Sequence, residues 1–454
     1  MVYETAPDDP AAYRYGAGFE AMTCINEVFS VKGAADQSLP LHFTCHGPVV
    51  FEDPARQTAV AIRTVFTDPG TSPYMCSLKS MRTTTVASFQ RALDSWGAPS
   101  VNMVYADTAG DICWQVAAYV PRRTGWRGLT PMKGDGSFEW EGYLTASDLP
   151  SLHNPECGFV HSANEMNVPD GWDHSAHPVG FEWFEDGRAD RIADVIGNGG
   201  ARDVAANCAL QCDIYSALAL ALVELVPDSA PSEARDLLRD WDGIATAQSA
   251  PALLFEVWLS SHLRPALLEQ IAPDAGLRAY LAPGNIPTVV RLLQGAHPAL
   301  ALRAGLADAD DRDDFLARTL AQAHADTCDR FGNDPKDWRW GDLHKGWFGH
   351  VVSADQSVGP LATGGSSTTV MMAHYEAANY RVTNGASVRM VVDVGAWDNS
   401  LWINAPGQSA LPGSTHFSDL APLWAQGEYV PMLYSRAAVD AATSTTITLL
   451  PEGV

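Results

Sequence analysis

The sequence predicts an α+β chain, on three observations. Residues 1–186 carry β-branched and alternating segments. From 187 to about 332, apolar residues recur at spacings of three and four. Short strand-like runs return over 333–454. Blocks in that order argue against alternating βαβ units. The expected organisation is a strand-rich part (1–186), a helical region (187–332) and a strand-rich C-terminal part (333–454). At 454 residues the chain exceeds one minimal domain.

Each element has its own signal. Residues 58–66 are β-branched and bounded by Asp53-Pro54 and Asp68-Pro69-Gly70, which predicts a strand. Residues 84–96 place Val86, Phe89, Leu93 and Trp96 on one face, which predicts a helix. The clearest hairpin joins 101–106 to 112–116 through a loop containing Gly110. The Pro/Gly-rich stretch 121–134 reads as a loop. Residues 201–225 read as the longest helix, with Asp203 near its start. Further helices are expected at 234–241, 251–263, 287–294 and 311–331, and a late strand at 387–393.

Composition excludes some partners. Lys and Arg total 29 against 54 Asp and Glu, a formal charge of −25. Such a polyanion is repelled by nucleic-acid phosphates and by anionic lipid surfaces, so neither is expected as a partner. No apolar run approaches the ~20 residues that span a bilayer. No signal-peptide pattern opens the sequence. The acidic cluster Asp308–Asp314 reads as a solvated helix start. The eight cysteines form no C-x-x-C pair; Cys208 and Cys212, four apart, read as two buried thiols on one helix face.

Self-contained catalytic motifs are missing. Gly364-Gly365-Ser366-Ser367-Thr368 fails the last position of a nucleophile elbow. There is no P-loop, no G-x-G-x-x-G after a strand and no H-E-x-x-H. His174 and His177 sit in a polar loop, and His46, His344, His350 and His416 are scattered; each reads as a structural histidine. No metal or cofactor site is expected.

A set of phrases nevertheless runs in order along the chain. Thr44-Cys45-His46-Gly47-Pro48-Val49-Val50 is one, and Asn102-Met103-Val104-Tyr105-Ala106-Asp107 opens another. His161-Ser162-Ala163-Asn164-Glu165-Met166-Asn167 is followed by Gly187-Arg188-Ala189-Asp190-Arg191-Ile192. Gln211-Cys212-Asp213, Trp338-Arg339-Trp340-Gly341-Asp342-Leu343-His344, Arg389-Met390-Val391-Val392-Asp393 and Gly407-Gln408-Ser409 come next. Trp424, Tyr429 and Pro431 close the set. Together these phrases resemble the penicillin acylase (penicillin amidase) family, across nearly the whole chain.

The resemblance implies a layered αββα sandwich of the N-terminal-nucleophile hydrolase type, incomplete at its N-terminus, with a helical insertion. It implies hydrolysis of a linear amide, such as a β-lactam side chain or an N-acyl homoserine lactone. A serine at the start of a β chain attacks, its own α-amine serving as base. An asparagine amide and a backbone N–H hold the oxyanion. Matched position by position, Asn164 is that asparagine, with Asn167 ranked below it. Arg191 is the family arginine near the nucleophile's amine or the substrate carboxylate, with Arg188 close enough to compete for the match. His46 is expected to brace a strand turn.

The chain opens Met1-Val2-Tyr3-Glu4, with no serine there. The expectation is therefore a β-chain fragment lacking its nucleophile and inactive alone, whose partners would be an amide substrate, an α chain and an N-terminal β segment. Calcium ligands known in some family members would fall mostly outside it. Secreted members are periplasmic or extracellular. The alternative is a non-catalytic remnant that binds acyl compounds or a partner chain.

Overall fold

In the computed structural model, residues 1–451 are described. The architecture is α+β, with antiparallel sheets and helices in two compact units. Residues 1–162 and 166–183 form the first; 163–165 and 184–454 form the second.

The first unit is built on a seven-stranded antiparallel sheet. Its strands are β1 (Val2–Ala6), β2 (Asp9–Tyr15), β3 (Gly18–Ala21), β4 (Thr23–Phe29), β5 (Gln37–Thr44), β6 (Gly47–Asp53) and β7 (Thr58–Ala61). Their spatial order is β3-β2-β1-β7-β6-β5-β4. Tyr3, Tyr13, Met22, Ala59 and Ala61 form its core. The β5–β6 turn carries His46 and Gly47. Gly47 has φ +132°, and a Cβ there would strike the Ile62 carbonyl, so only glycine fits. The expected strand over 58–66 stops at Ala61. Beyond it Arg63 turns to Glu139 (2.6 Å), and Thr64 accepts from the Phe66 N–H to cap the turn Val65–Thr67.

The hairpin is as expected. β8 (Val101–Ala106) pairs with β9 (Ile112–Ala117) from Val101↔Ala117 to Ala106↔Ile112, and Gly110 takes φ +94° in the loop. The helix Val86–Leu93 starts on a reciprocal cap between Thr85 and Ser88. Its apolar face packs Phe89 and Leu93 against Ala117 and Ala146.

The second unit holds most of the helices and three small sheets. Its core gathers Leu222, Leu253, Trp258, Leu320, Trp338 and Trp340. The expected helix over 201–225 is two helices, Val204–Gln211 and Ala217–Val223. Asp213 breaks it: its carboxylate accepts from the Tyr215 N–H (2.8 Å), and Ser216 caps a fresh helix. The longest helix is Ala309–Phe331, its first turn carrying exposed Asp310 and Asp311. The stretch expected over 251–263 runs as Ala250–Val257, then a π-helical Trp258–Leu263, and continues through Arg264–Ile271. Cys208 is buried; Cys212 lies past the helix end and is half-buried. All eight cysteines are free thiols. No described helix is long and apolar enough to cross a membrane.

Glu256 lies fully inside this core. Tyr375 donates to it at 2.5 Å, and Ser260 sits 2.5 Å from the same hydroxyl. Burial pushes its carboxyl up, against opposing pulls from Tyr375 and Arg264. A carboxyl with a raised folded value disfavours folding once the unfolded chain ionises, from about pH 4.3 upward. Stability is thus lost as pH rises through that range toward the folded value. Glu256→Gln removes the titration. We expect the variant's Tm, relative to the parent's, to be higher at pH 8 than at pH 4, measured by calorimetry at both.

Candidate functional site

Residues 163–165 form a tight turn before the second unit's first helix, Gly187–Gly197. Asn164 takes φ +73°, a left-handed conformation that asparagine tolerates better than most residues. Two hydrogen bonds from backbone N–H groups hold the turn. The Ala163 N–H donates to Glu165 Oε2 (2.6 Å), and the Phe184 N–H donates to the Asn164 carbonyl (3.1 Å). The Asn164 side chain is solvent-exposed.

Arg188 fixes that side chain. Its Nη2 donates to the Ala163 carbonyl (2.6 Å) and to Asn164 Oδ1 (3.0 Å). Guanidinium only donates, so the amide oxygen must face it and the amide NH2 must face away. Among the described residues no acceptor takes that NH2. Arg188 is buried, and its Nε lies 3.8 Å from Glu185. Burial raises the Glu185 carboxyl above its usual range, Arg188 opposing.

Asn167 is placed differently. Its amide nitrogen donates to Ser162 Oγ (3.2 Å), which also receives the Asn102 amide (2.9 Å). Its NH2 is committed within the first unit, whereas that of Asn164 is not.

Arg191 points elsewhere than Asn164. Its Nε and Nη2 both donate to Asp213 Oδ2 (2.9 and 2.7 Å), and its guanidinium lies over the Tyr215 ring at 4.7 Å. It lines a cleft of about 560 Å³ with Leu218, Val290 and Arg291. The structure therefore joins Asn164 to Arg188 and Arg191 to Asp213. In the sequence Arg188 stood only as a rival to Arg191, and Asp213 only as part of the phrase Gln211-Cys212-Asp213, with no role assigned to either. Arg188 and Arg191 are three apart, so helical spacing puts both on neighbouring faces and cannot say which one reaches the turn.

The other motif residues pack. His46 has Tyr3 on Nδ1 and Glu139 on Nε2 (2.7 Å), and Arg63 takes the other Glu139 oxygen (2.6 Å). Burial lowers the imidazole's pKa against the pull of Glu139. Burial opposes the Glu139 carboxylate, but its bonds to His46 and Arg63 prevail and hold it below the usual range. His344, fully buried, sits between the Thr363 and Ala373 carbonyls (2.8 and 3.0 Å). Arg389 donates to the Trp424 carbonyl (2.5 Å) and Cys212 Sγ (3.0 Å) and stacks near Trp424 and Tyr429. His174 reaches the Gly180 carbonyl (2.8 Å). No group of three metal-ligating side chains occurs among the described residues.

A turn that aims an unpaired amide outward, clamped by a buried arginine at a helix start, is suited to receive an oxyanion. The chain belongs to the penicillin amidase family, whose sequence model matches residues 1–441. Penicillin acylase 2 proenzyme of Pseudomonas sp. (strain SE83) is 30% identical over 474 aligned positions, covering 98% of this chain and 58% of that protein. Acyl-homoserine lactone acylase QuiP of Pseudomonas fluorescens (strain Pf-5) is 26% identical, covering 92% of this chain and 55% of that one. The chain thus spans a little over half the length of these relatives. Its fold matches that of a thermostable penicillin G acylase from Alcaligenes faecalis, with a TM-score of 0.70. That match covers 99% of this chain and 86% of the other at 19% identity.

The two arginines should differ in stability cost. Arg188→Met strips a donor from two oxygens and leaves Glu185 unpaired beneath the surface, about 3 kcal/mol. Arg191→Met removes a partly solvated pair, about 1 kcal/mol or less. Urea denaturation of both variants checks the order; a larger loss for Arg191→Met contradicts it.

Proposed function

We propose that this chain carries the oxyanion-holding part of a hydrolase that cleaves linear amides. The single observation behind this reading is the amide of Asn164, pinned by Arg188 with its NH2 turned outward. When a nucleophile adds to an amide carbonyl, the oxygen gains a full charge. A donor already oriented toward that position lowers the barrier without reorganising. Asn164 meets that requirement because its other end is tied to a cation that cannot accept. The left-handed turn, at φ +73°, stores strain of the kind found where a side chain must be presented.

Arg188 acts through Asn164, and we assign it a positioning role. Arg191, held by Asp213 over Tyr215, keeps a guanidinium edge in the cleft that it lines. We assign it to substrate binding there, as the family resemblance implies. The substrates that fit are amides with an apolar acyl group, such as a penicillin side chain or an N-acyl homoserine lactone. The names of the relatives support both, and the α chain and N-terminal serine implied by the resemblance belong to the same proposal. No cofactor is needed for this chemistry.

The test is kinetic, in the protein as its source produces it, with N-phenylacetyl and long-chain N-acyl substrates. Asn164→Ala should lower kcat by about 10²–10³ with little change in KM, the cost of one oxyanion donor. Arg188→Met should lower kcat in the same direction by less. Undiminished turnover in Asn164→Ala would overturn the assignment.

A further inference from the structure

The first unit holds a second feature that the amide chemistry does not use. Arg63, Arg123 and Arg127 converge on a pocket of about 360 Å³, walled in part by Phe66, Tyr119 and Trp140. No acidic residue lines it. In a chain of charge −25 that is an unusual concentration of one sign.

The three guanidiniums are not equivalent. Arg63 is already paired with Glu139 and lies over the Trp140 ring at 4.4 Å. Arg123 has only aromatic company, Trp126 at 5.4 Å and Trp140 at 5.7 Å. Its Nε is buried with no acceptor, and loss of water lowers the pKa of its guanidinium. Arg127 is exposed at the rim. Neither Arg123 nor Arg127 makes a hydrogen bond or ion pair among the described residues.

A guanidinium whose Nε is shut off from water with no acceptor carries a cost that a bound acceptor would offset. A carboxylate does so best, because its two oxygens match two N–H bonds of one guanidinium in one plane. The aromatic walls select what is attached to it. A flat apolar body can lie against Tyr119 and Trp140 while its charge meets Arg123. We propose that this pocket binds a small organic carboxylate with a planar apolar body, held by Arg123 and steered by Arg127.

The inference stands apart from the amidase reading, since it concerns binding within the first unit alone. The probe is 2-naphthoate, followed by its fluorescence and by calorimetry on the full chain. Its two halves are tested separately, with acetate for the charge and 2-naphthamide for the body. Naphthoate should bind at least about tenfold more tightly than either, roughly 1.4 kcal/mol. Arg123→Gln should weaken it about tenfold or more, Arg123→Lys should recover part of that loss, and Arg127→Gln should weaken it about threefold. Arg436→Gln, on an exposed helix of the second unit, should change nothing. If Arg123→Gln fails to fold, Arg127→Gln decides, because Arg127 has no contact to lose. No saturable naphthoate binding, equal binding of naphthamide, or parent-like binding by both arginine variants would overturn the proposal.

Discussion

One buried cation sets the geometry of the candidate site. Arg188 stands at the second position of the helix Gly187–Gly197, where the helix dipole disfavours positive charge. It is also largely removed from water. Both costs are offset locally. The Ala163 carbonyl, the Asn164 amide oxygen and the nearby Glu185 all turn toward it. An arginine placed against two unfavourable terms has few low-energy alternatives, and the oxygens that satisfy it are held equally firmly. The Asn164 NH2 is therefore directed by what binds at its other end, and the φ of +73° follows from bringing consecutive oxygens to one guanidinium.

The same economy of cations recurs elsewhere in this acidic chain. Arg191 closes onto Asp213, which broke the long helix expected over 201–225 so that its other oxygen could take the Tyr215 N–H. Arg389 bridges the Trp424 carbonyl and Cys212 between two aromatic rings. In both cases two nitrogens of one guanidinium donate while the group lies near an aromatic ring, a fork that lysine lacks. Asp213 thus serves both: one oxygen takes the Tyr215 N–H where the helix breaks, and the other holds Arg191.

What could be read in the sequence depended on how local its cause was. The hairpin at 101–117 was legible because strand alternation and a glycine loop are properties of neighbouring residues. The helix over 84–96 was legible for the same reason, although its ends retreat to Val86 and Leu93. The strand over 58–66 was overestimated because Arg63 answers to Glu139, far away in the sequence. Asn164 stood out through the family phrase around it; in the structure its amide oxygen is held by Arg188, while the Asn167 amide is bonded to Ser162. Arg188 was visible only as a rival to Arg191. The contacts that separate the two span from 22 to 25 positions of sequence, and periodicity carries no record of them.

The scaffold behind the site shows why buried polarity is retained here. Helix Ala250–Val257 gains an extra residue per turn through Trp258–Leu263. That change in register brings Ser260 to Tyr375 and Ser261 to Tyr380, each at 2.5 Å. Tyr375 then donates to Glu256, and Arg264 reaches Ser260 at 3.2 Å. An apolar core could pack as densely and carry no desolvation cost. Hydrophobic contact, however, tolerates sliding of a helix along its axis, whereas a tyrosine hydroxyl that must meet one serine does not. The polar network therefore fixes the rotation and height of this helix against the Ala373–Tyr375 strand within the second unit, at the expense of some stability.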